Sequence, residues 1–323
     1  MSPLNSTSIN NASIVRPEFF VISGFAGIPH ANYYYVFLSF VYAVSLLGNA
    51  FVMFMIYTDH RLHTPKYIVV FNLALSDLCG STALVPQMLD TLLFKSHLIS
   101  YTACLTHMFF VFWFLSVQSF ILALLSYDRF VAICFPLRYN EIVTNKSMFV
   151  ITTILWIFSG TATSIAVIFI DKISFCKSIV VNSFFCDHGA VQLLACDEHP
   201  PSAIINWTHP VTILWVPVFF ITCTYVCIGR AIFKIADASE RLKAMKTCTS
   251  HLILVSVFYL PICTTFAMGS AIELNAWIVN MSLTTVLPPM LNPIIYSLKT
   301  EEFTECIKKL YRRKKINFAV RNK

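Results

Sequence analysis

Seven stretches of mostly apolar residues occupy this chain, at 33–57, 67–89, 102–132, 148–170, 203–234, 243–268 and 274–298. A helix needs ~20 such residues to cross the hydrocarbon core of a bilayer. Inside lipid, each backbone polar group must find its partner within the protein, which leaves only helices and closed barrels. Runs of this length are helical. Only 12% of the 323 residues are charged and 57% are hydrophobic, whereas a soluble domain carries about a quarter charged residues. The sequence therefore predicts an all-α membrane protein, a seven-transmembrane helix bundle over 33–298. Ahead of it lies a tail, 1–32, and behind it a basic segment, 299–323. Glu301 to Arg313 is amphipathic, basic and too short to span, as expected of an interfacial helix after helix 7. Residues 1–18 are polar and lack a cleavable signal pattern, so the first span is expected to act as the targeting signal.

An odd number of spans puts the termini on opposite sides, and the side follows from the basic residues of the loops. With the N-terminus outside, the outer segments hold Arg16, Lys95, Lys172 and Lys177. Every other lysine and arginine of the 23 falls inside, clustered at 230–246 and 299–323. This orientation exposes Asn5-Ser6-Thr7 and Asn11-Ala12-Ser13 as glycosylation acceptors. Asn145 falls inside, and Asn206 and Asn280 sit too near the bilayer to be acceptors. The expected location is the plasma membrane, with the C-terminus cytoplasmic.

Polar residues within the spans carry the functional signal, because an ionisable group in hydrocarbon needs partners or work. Asp128-Arg129 closes helix 3. Asp77 sits in the middle of helix 2, Gly48-Asn49 in helix 1, and Asn292-Pro293-Ile294-Ile295-Tyr296 in helix 7. An anchoring arginine and a structural hydrogen-bond knot are the plain alternatives. A knot can also switch, since Pro293 removes a backbone bond and loosens helix 7 beside it. Cys104 opens helix 3, and Cys176, Cys186 and Cys196 lie in the long outer loop, 171–202. Four cysteines in an oxidising compartment allow three pairings, and spacing does not choose among them. Cys306, on the interfacial helix, is a palmitoylation candidate.

In combination these pieces resemble the vertebrate odorant receptors, a branch of the rhodopsin-like G-protein-coupled receptors. The matching segments are Leu62-His63-Thr64-Pro65, Asp128 through Tyr139, Lys243-Ala244-Met245-Lys246-Thr247-Cys248-Thr249-Ser250-His251, Phe258-Tyr259-Leu260-Pro261 and Pro288 through Leu298. The departures, Leu125-Ser126-Tyr127-Asp128-Arg129-Phe130 for a usual Met-Ala-Tyr-Asp-Arg-Tyr and Lys66 for a frequent methionine, suggest an outlying, fish-like branch. The resemblance implies disulfides Cys104–Cys186 and Cys176–Cys196. It also implies a ligand pocket in the outer halves of helices 3, 5, 6 and 7 beneath the folded loop. Candidate lining residues are Phe112, Leu115, Ser116, His188, Asn206, His209, Tyr259, Ile262, Phe266 and Ser282, and the apolar ones could equally be core. No acid lies in the outer half of helix 3, and no lysine or arginine in the outer parts of helices 5, 6 or 7. The expected ligand is small and mostly apolar.

By the same resemblance, ligand binding would shift the packing of helices 3, 5, 6 and 7, with Tyr259 and Pro261 as pivot. Arg129 would be restrained by Asp128 and approached by Tyr225 and Tyr296, in a switch that includes Asn292 and Pro293. The implied partners are an odorant, a stimulatory heterotrimeric G protein that raises cyclic AMP, and anionic lipid at Lys308 to Lys315. Sensory neuron cilia are the implied site. Asn49, Asp77, Ser119 and Asn292 could supply oxygens to a sodium ion, although Gln118 stands where many odorant receptors carry a second acid. No other cofactor or metal is expected. No phosphate loop, metalloprotease pattern or nucleophile set points to an enzyme, and nothing points to nucleic acid. The competing readings are a receptor for a non-odorant metabolite or hormone on the same fold, and a transporter or channel. The absence of an internal repeat argues against the latter.

Overall fold

The computed structural model describes residues 15–25, 31–93, 97–196, 200–268, 272–299 and 302–309. The seven apolar stretches form α1 (Ala31–Thr58), α2 (Pro65–Leu93), α3 (Tyr101–Cys134), α4 (Asn145–Asp171), α5, α6 (Ala238–Met268) and α7 (Leu274–Lys299). α5 comprises Pro200–Pro210, a π-helical turn Val211–Trp215, and Val216–Phe233. All seven are long and apolar enough to cross a membrane. A short helix α8 follows over 302–309. α6 begins at Ala238, ahead of the expected 243. Asp237 Oδ1 accepts from the backbone N–H of Ser239 at 2.6 Å and of Glu240 at 3.1 Å, an N-cap that satisfies the first-turn donors. Hydropathy marks only the part of a helix that lies in hydrocarbon, so this polar extension went unmarked.

α3 is the axis of the bundle. Of its apolar window 72% is buried, against 22% for α4, so α4 presents most of its surface to lipid. Leu73, Ile121, Leu122, Leu125, Phe258 and Tyr259 belong to the central apolar cluster around it.

The end of the bundle at the start of α3 carries a small sheet that the sequence did not reveal. β1 (Phe19–Ile22) lies between β2 (Leu98–Ser100) and β3 (Val180–Val181). It runs antiparallel to β2 and parallel to β3. Part of the tail is thus folded onto the bundle. Phe20 and Ile22 are buried among Phe175, Cys104 and Cys186. Arg16 bridges to Asp171 Oδ2 at 2.8 Å, and Tyr101 donates to Asp171 Oδ1 at 3.1 Å. The acceptors Asn5 and Asn11 lie outside the described residues, as does the segment of the basic tail beyond Lys309.

At the opposite end α8 folds back under α1 and α2. Phe303 is fully buried and meets the ring of Phe51 edge-on. Tyr67 donates to Glu302 at 2.8 Å, and Lys66 Nζ lies 3.3 Å from the same carboxylate. The side chain of Cys306, the palmitoylation candidate, is buried, with Arg61 donating to Sγ at 3.3 Å.

Candidate functional site

Three polar groupings run along the inside of the bundle, one at each end and one between. The first lies under the outer loop. The disulfides Cys104–Cys186 and Cys176–Cys196 are both formed. The former ties the loop to the first turn of α3 and anchors the residues immediately after Cys186. Asp187 Oδ1 accepts from the Ala190 N–H at 2.9 Å and caps the short helix His188–Gln192. His188 opens that helix, buried, with Nδ1 3.2 Å from Asn206 Oδ1 on α5. An amide oxygen only accepts, so Nδ1 carries the hydrogen. Burial holds the His188 imidazole below its usual 6.5, outweighing the adjacent Asp187 carboxylate, so the ring is neutral. One turn along α5, His209 meets the ring of Phe112 edge-on at 6.1 Å, and Phe112 in turn packs on Phe185 at 6.0 Å. The Nε2 atoms of both His188 and His209 are buried without a hydrogen-bond partner.

The other pocket candidates do not all join this group. Ser116 turns its hydroxyl onto the Phe112 carbonyl of its own helix at 2.6 Å. Ser282 bonds the Tyr34 hydroxyl of α1 at 2.6 Å, at the α1–α7 seam. Leu115 and Ile262 pack in the central cluster. The side chain of Phe266 lies outside the described residues.

The middle grouping contains two separate knots. In one, Asn292 Nδ2 donates to Asp77 Oδ2 at 2.7 Å, while Asp77 Oδ1 is buried without a partner. Asn49 Nδ2 donates to the Pro289 carbonyl at 2.8 Å and holds α1 against α7. Ser119, expected in this set, belongs to the other knot. Its hydroxyl donates to the Ile213 carbonyl, inside the π-helical turn of α5. The Tyr259 hydroxyl, 2.7 Å away, is left to donate to Ser119 Oγ. A π-turn displaces carbonyls from the regular ladder, and Ser119 takes up one of them. The oxygen shell that the sequence suggested for sodium is thus split, with Asp77 and Asn292 together and Ser119 committed elsewhere. Among the described residues no three His, Cys, Asp or Glu side chains converge as metal ligands.

The third grouping closes α3. Asp128 is buried, and its Oδ2 lies 3.9 Å from Arg129 Nε. Its Oδ1 accepts from the Tyr139 hydroxyl at 2.8 Å, a partner that sequence reasoning missed. Tyr139 lies in a separate short helix, Tyr139–Ile142, so the pairing depends on the Pro136–Arg138 turn between them. Burial, reinforced by Asp128, raises the Tyr139 phenol above its usual value and keeps it a donor. Tyr225 does not bond to Arg129. Its hydroxyl lies 2.7 Å from His251 Nδ1 on α6. The Leu122 carbonyl sits 3.1 Å from His251 Nε2 and can only accept. His251 Nε2 therefore carries the hydrogen, and Nδ1 accepts from Tyr225. One neutral imidazole joins α3, α5 and α6. The sequence signal for it was the Thr247-Cys248-Thr249-Ser250-His251 run, read there only as a mark of the family resemblance. Tyr296, the remaining switch candidate, is half-buried, with its hydroxyl shut off from solvent and unpartnered.

Comparison with known proteins agrees with this arrangement. The family model described as olfactory receptor matches residues 38–314. Olfactory receptor 1500 of the rat is 33% identical over 314 residues, covering 95% of this chain and 99% of that one. Human olfactory receptor 10A5 is also 33% identical, over 295 residues, covering 90% and 93%. Among solved structures, squid rhodopsin superposes with a TM-score of 0.69 at 18% identity over 88% of this chain and 87% of that one, a likeness of fold. The chain belongs to the olfactory receptor family, multi-pass membrane proteins of the G-protein-coupled receptor fold that act as signalling receptors and not as enzymes.

Proposed function

We propose that this receptor binds a small, mostly apolar odorant in the outer half of the bundle and activates a stimulatory G protein of the olfactory type, raising cyclic AMP. The observation that carries the switch is the His251 bridge from α6 to Tyr225 of α5 and the Leu122 carbonyl of α3. Those are the helices whose relative packing must change to open a cleft beside Arg129. A ligand can shift that packing only by its difference in affinity for the two states. The grouping of Phe112, His209 and His188 in an aromatic setting supports the outer site, although a core role for Phe112 is the plainer alternative.

Two observations support an N-terminus outside. The lysines and arginines cluster at 230–246 and 299–323, and both disulfides lie at the other end of the bundle, as an oxidising compartment requires. On this reading Asn5 and Asn11 are glycosylated, Lys308 and Lys309 meet anionic lipid, and the cilia of sensory neurons are the working location. No resident cofactor is needed. Asp77, with its free Oδ1, and Asn292 would be the seat of a sodium ion.

The test is Arg129→Ala in a cyclic AMP reporter cell, with surface expression and ligand-induced thermal stabilisation followed in parallel. Signalling should disappear while ligand stabilisation persists. Undiminished cyclic AMP output removes Arg129 from the mechanism.

A further inference from the structure

We propose that this receptor selects apolar ligands that carry a hydroxyl group, alcohols or phenols, which donate to His188 Nε2 and accept at His209 with their carbon skeleton against Phe112. The inference rests on the outer-site reading above and adds a chemical class to it. His188 Nδ1–H is spent on Asn206 Oδ1 at 3.2 Å, so its Nε2 is left with a lone pair and no partner. Asn206 and His209 stand three residues apart on α5, on one face of the helix, which brings His209 beside the His188 ring. The Nε2 of His209 is also shut off from solvent and unpartnered, and its ring edge meets Phe112 at 6.1 Å.

A buried acceptor without a donor costs free energy, and a ligand that supplies the donor recovers it. A hydroxyl does both jobs required here, giving its hydrogen to His188 and taking one at oxygen from His209. A ketone, ester or ether has no hydrogen to give and leaves His188 unpaired. A carboxylate has none either, and no lysine or arginine stands in the outer halves of α5, α6 or α7 to take its charge. A site built to pair a hydroxyl rejects the analogue that lacks it far more strongly than a greasy pocket rejects a missing methylene.

One competing arrangement is specific. The Ala166 carbonyl of α4 also faces the His188 ring. In the other tautomer, with the Asn206 amide turned end for end, Nε2–H would point at that carbonyl and Nδ1 would accept from Asn206 Nδ2. His188 would then offer no lone pair, and hydroxyl ligands would have no advantage.

The experiment uses matched sets of alcohol, methyl ether, ketone and alkane on several carbon skeletons. Each set is measured against the full-length receptor by ligand-induced shift of unfolding temperature and by cyclic AMP reporter. Alcohols should exceed their ethers and ketones by at least about tenfold in apparent affinity. His188→Ala and Asn206→Leu should collapse that ratio to near unity, and Asn206→Asp, which still accepts from Nδ1, should keep it. Equal potency of ketone and alcohol in the unaltered receptor overturns the proposal. So does an unchanged ratio in a well-expressed His188→Ala variant. Stabilisation without cyclic AMP would fault the coupling reading and leave the hydroxyl preference standing. If no compound of any set stabilises or activates the receptor, the odorant-site reading fails and the preference falls with it.

Discussion

The Tyr139 hydroxyl lies 2.8 Å from Asp128 Oδ1, whereas Arg129 Nε stands 3.9 Å from Oδ2. The closer partner of this buried carboxylate is therefore the tyrosine ahead of α4. Asp128→Asn retains an oxygen for Tyr139 but removes the charge that faces Arg129. Losing that restraint, at about 1 kcal/mol, shifts the two-state balance about fivefold. Basal cyclic AMP should rise accordingly at constant surface level, and a flat baseline would show that Asp128 does not restrain Arg129. Tyr139→Phe acts differently, since it strands a buried carboxylate oxygen and should cost about 1–3 kcal/mol of stability.

His251 holds α6 through two hydrogen bonds, one to each neighbouring helix. Removing it frees the inner end of α6. His251→Ala should raise basal signalling, and Tyr225→Phe should do so more weakly, because the Leu122 bond survives. A double-mutant cycle should give a coupling of about 0.5–3 kcal/mol, as for residues in direct contact. Strictly additive effects would mean that the contact has no part in the balance.

Gly48 is the point where α1 touches the loosened part of α7. A Cβ there would come within 3.0 Å of Pro293 Cβ and 3.1 Å of Cγ. A proline ring cannot swing aside as a flexible side chain can. Gly48→Val should therefore cost about 1–3 kcal/mol by overpacking and strain the nearby Asn49–Pro289 bond. Thermal denaturation in detergent will show it. A variant as stable as the parent would mean that α7 yields freely at Pro293.

Acidification should loosen the outer loop. Burial keeps the His188 imidazole below 6.5 in the folded receptor. The groups that face it are Asp187, Asn206, His209 and the Ala166 carbonyl. The unfolded chain takes up the proton from pH 6.5 downward while the folded chain resists it. The stabilisation is thus complete above pH 6.5 and is lost as pH falls from there toward the depressed folded value. Unfolding temperature followed across that window should drop, and His188→Gln should flatten the curve. Parallel curves for both proteins would assign the loss to other groups.

The spans were legible in the sequence because lipid leaves the backbone few options, and a run of apolar residues registers that directly. Asp77, Asp128 and Asn292 were legible for the same reason, since polar groups in hydrocarbon stand out. Their partners were another matter. Tyr139 reaches Asp128 only because a turn of Pro136–Arg138 folds back on α3, and no periodicity encodes that return. Ser119 was grouped with Asp77 through the family resemblance, but a π-turn in α5 offered it a carbonyl first. β1 escaped notice because four residues in a polar tail have no periodic signature, and their pairing strands lie far along the chain.

That strand carries a consequence for synthesis. β1 is the central strand of its sheet, and both of its neighbours are made later, one just before α3 and the other between α4 and α5. The opening stretch of the chain leaves the ribosome first, yet it gains its second neighbour only after four spans have been inserted. Contacts so distant in sequence form late. Through that interval Phe19, Phe20, Val21 and Ile22 are an unpaired apolar edge, open to the wrong partner. With the N-terminus outside, as proposed, success in biogenesis should therefore depend on whatever shields these four residues in the endoplasmic reticulum, and a tag fused close ahead of them would act on the yield of mature receptor before it could act on the response.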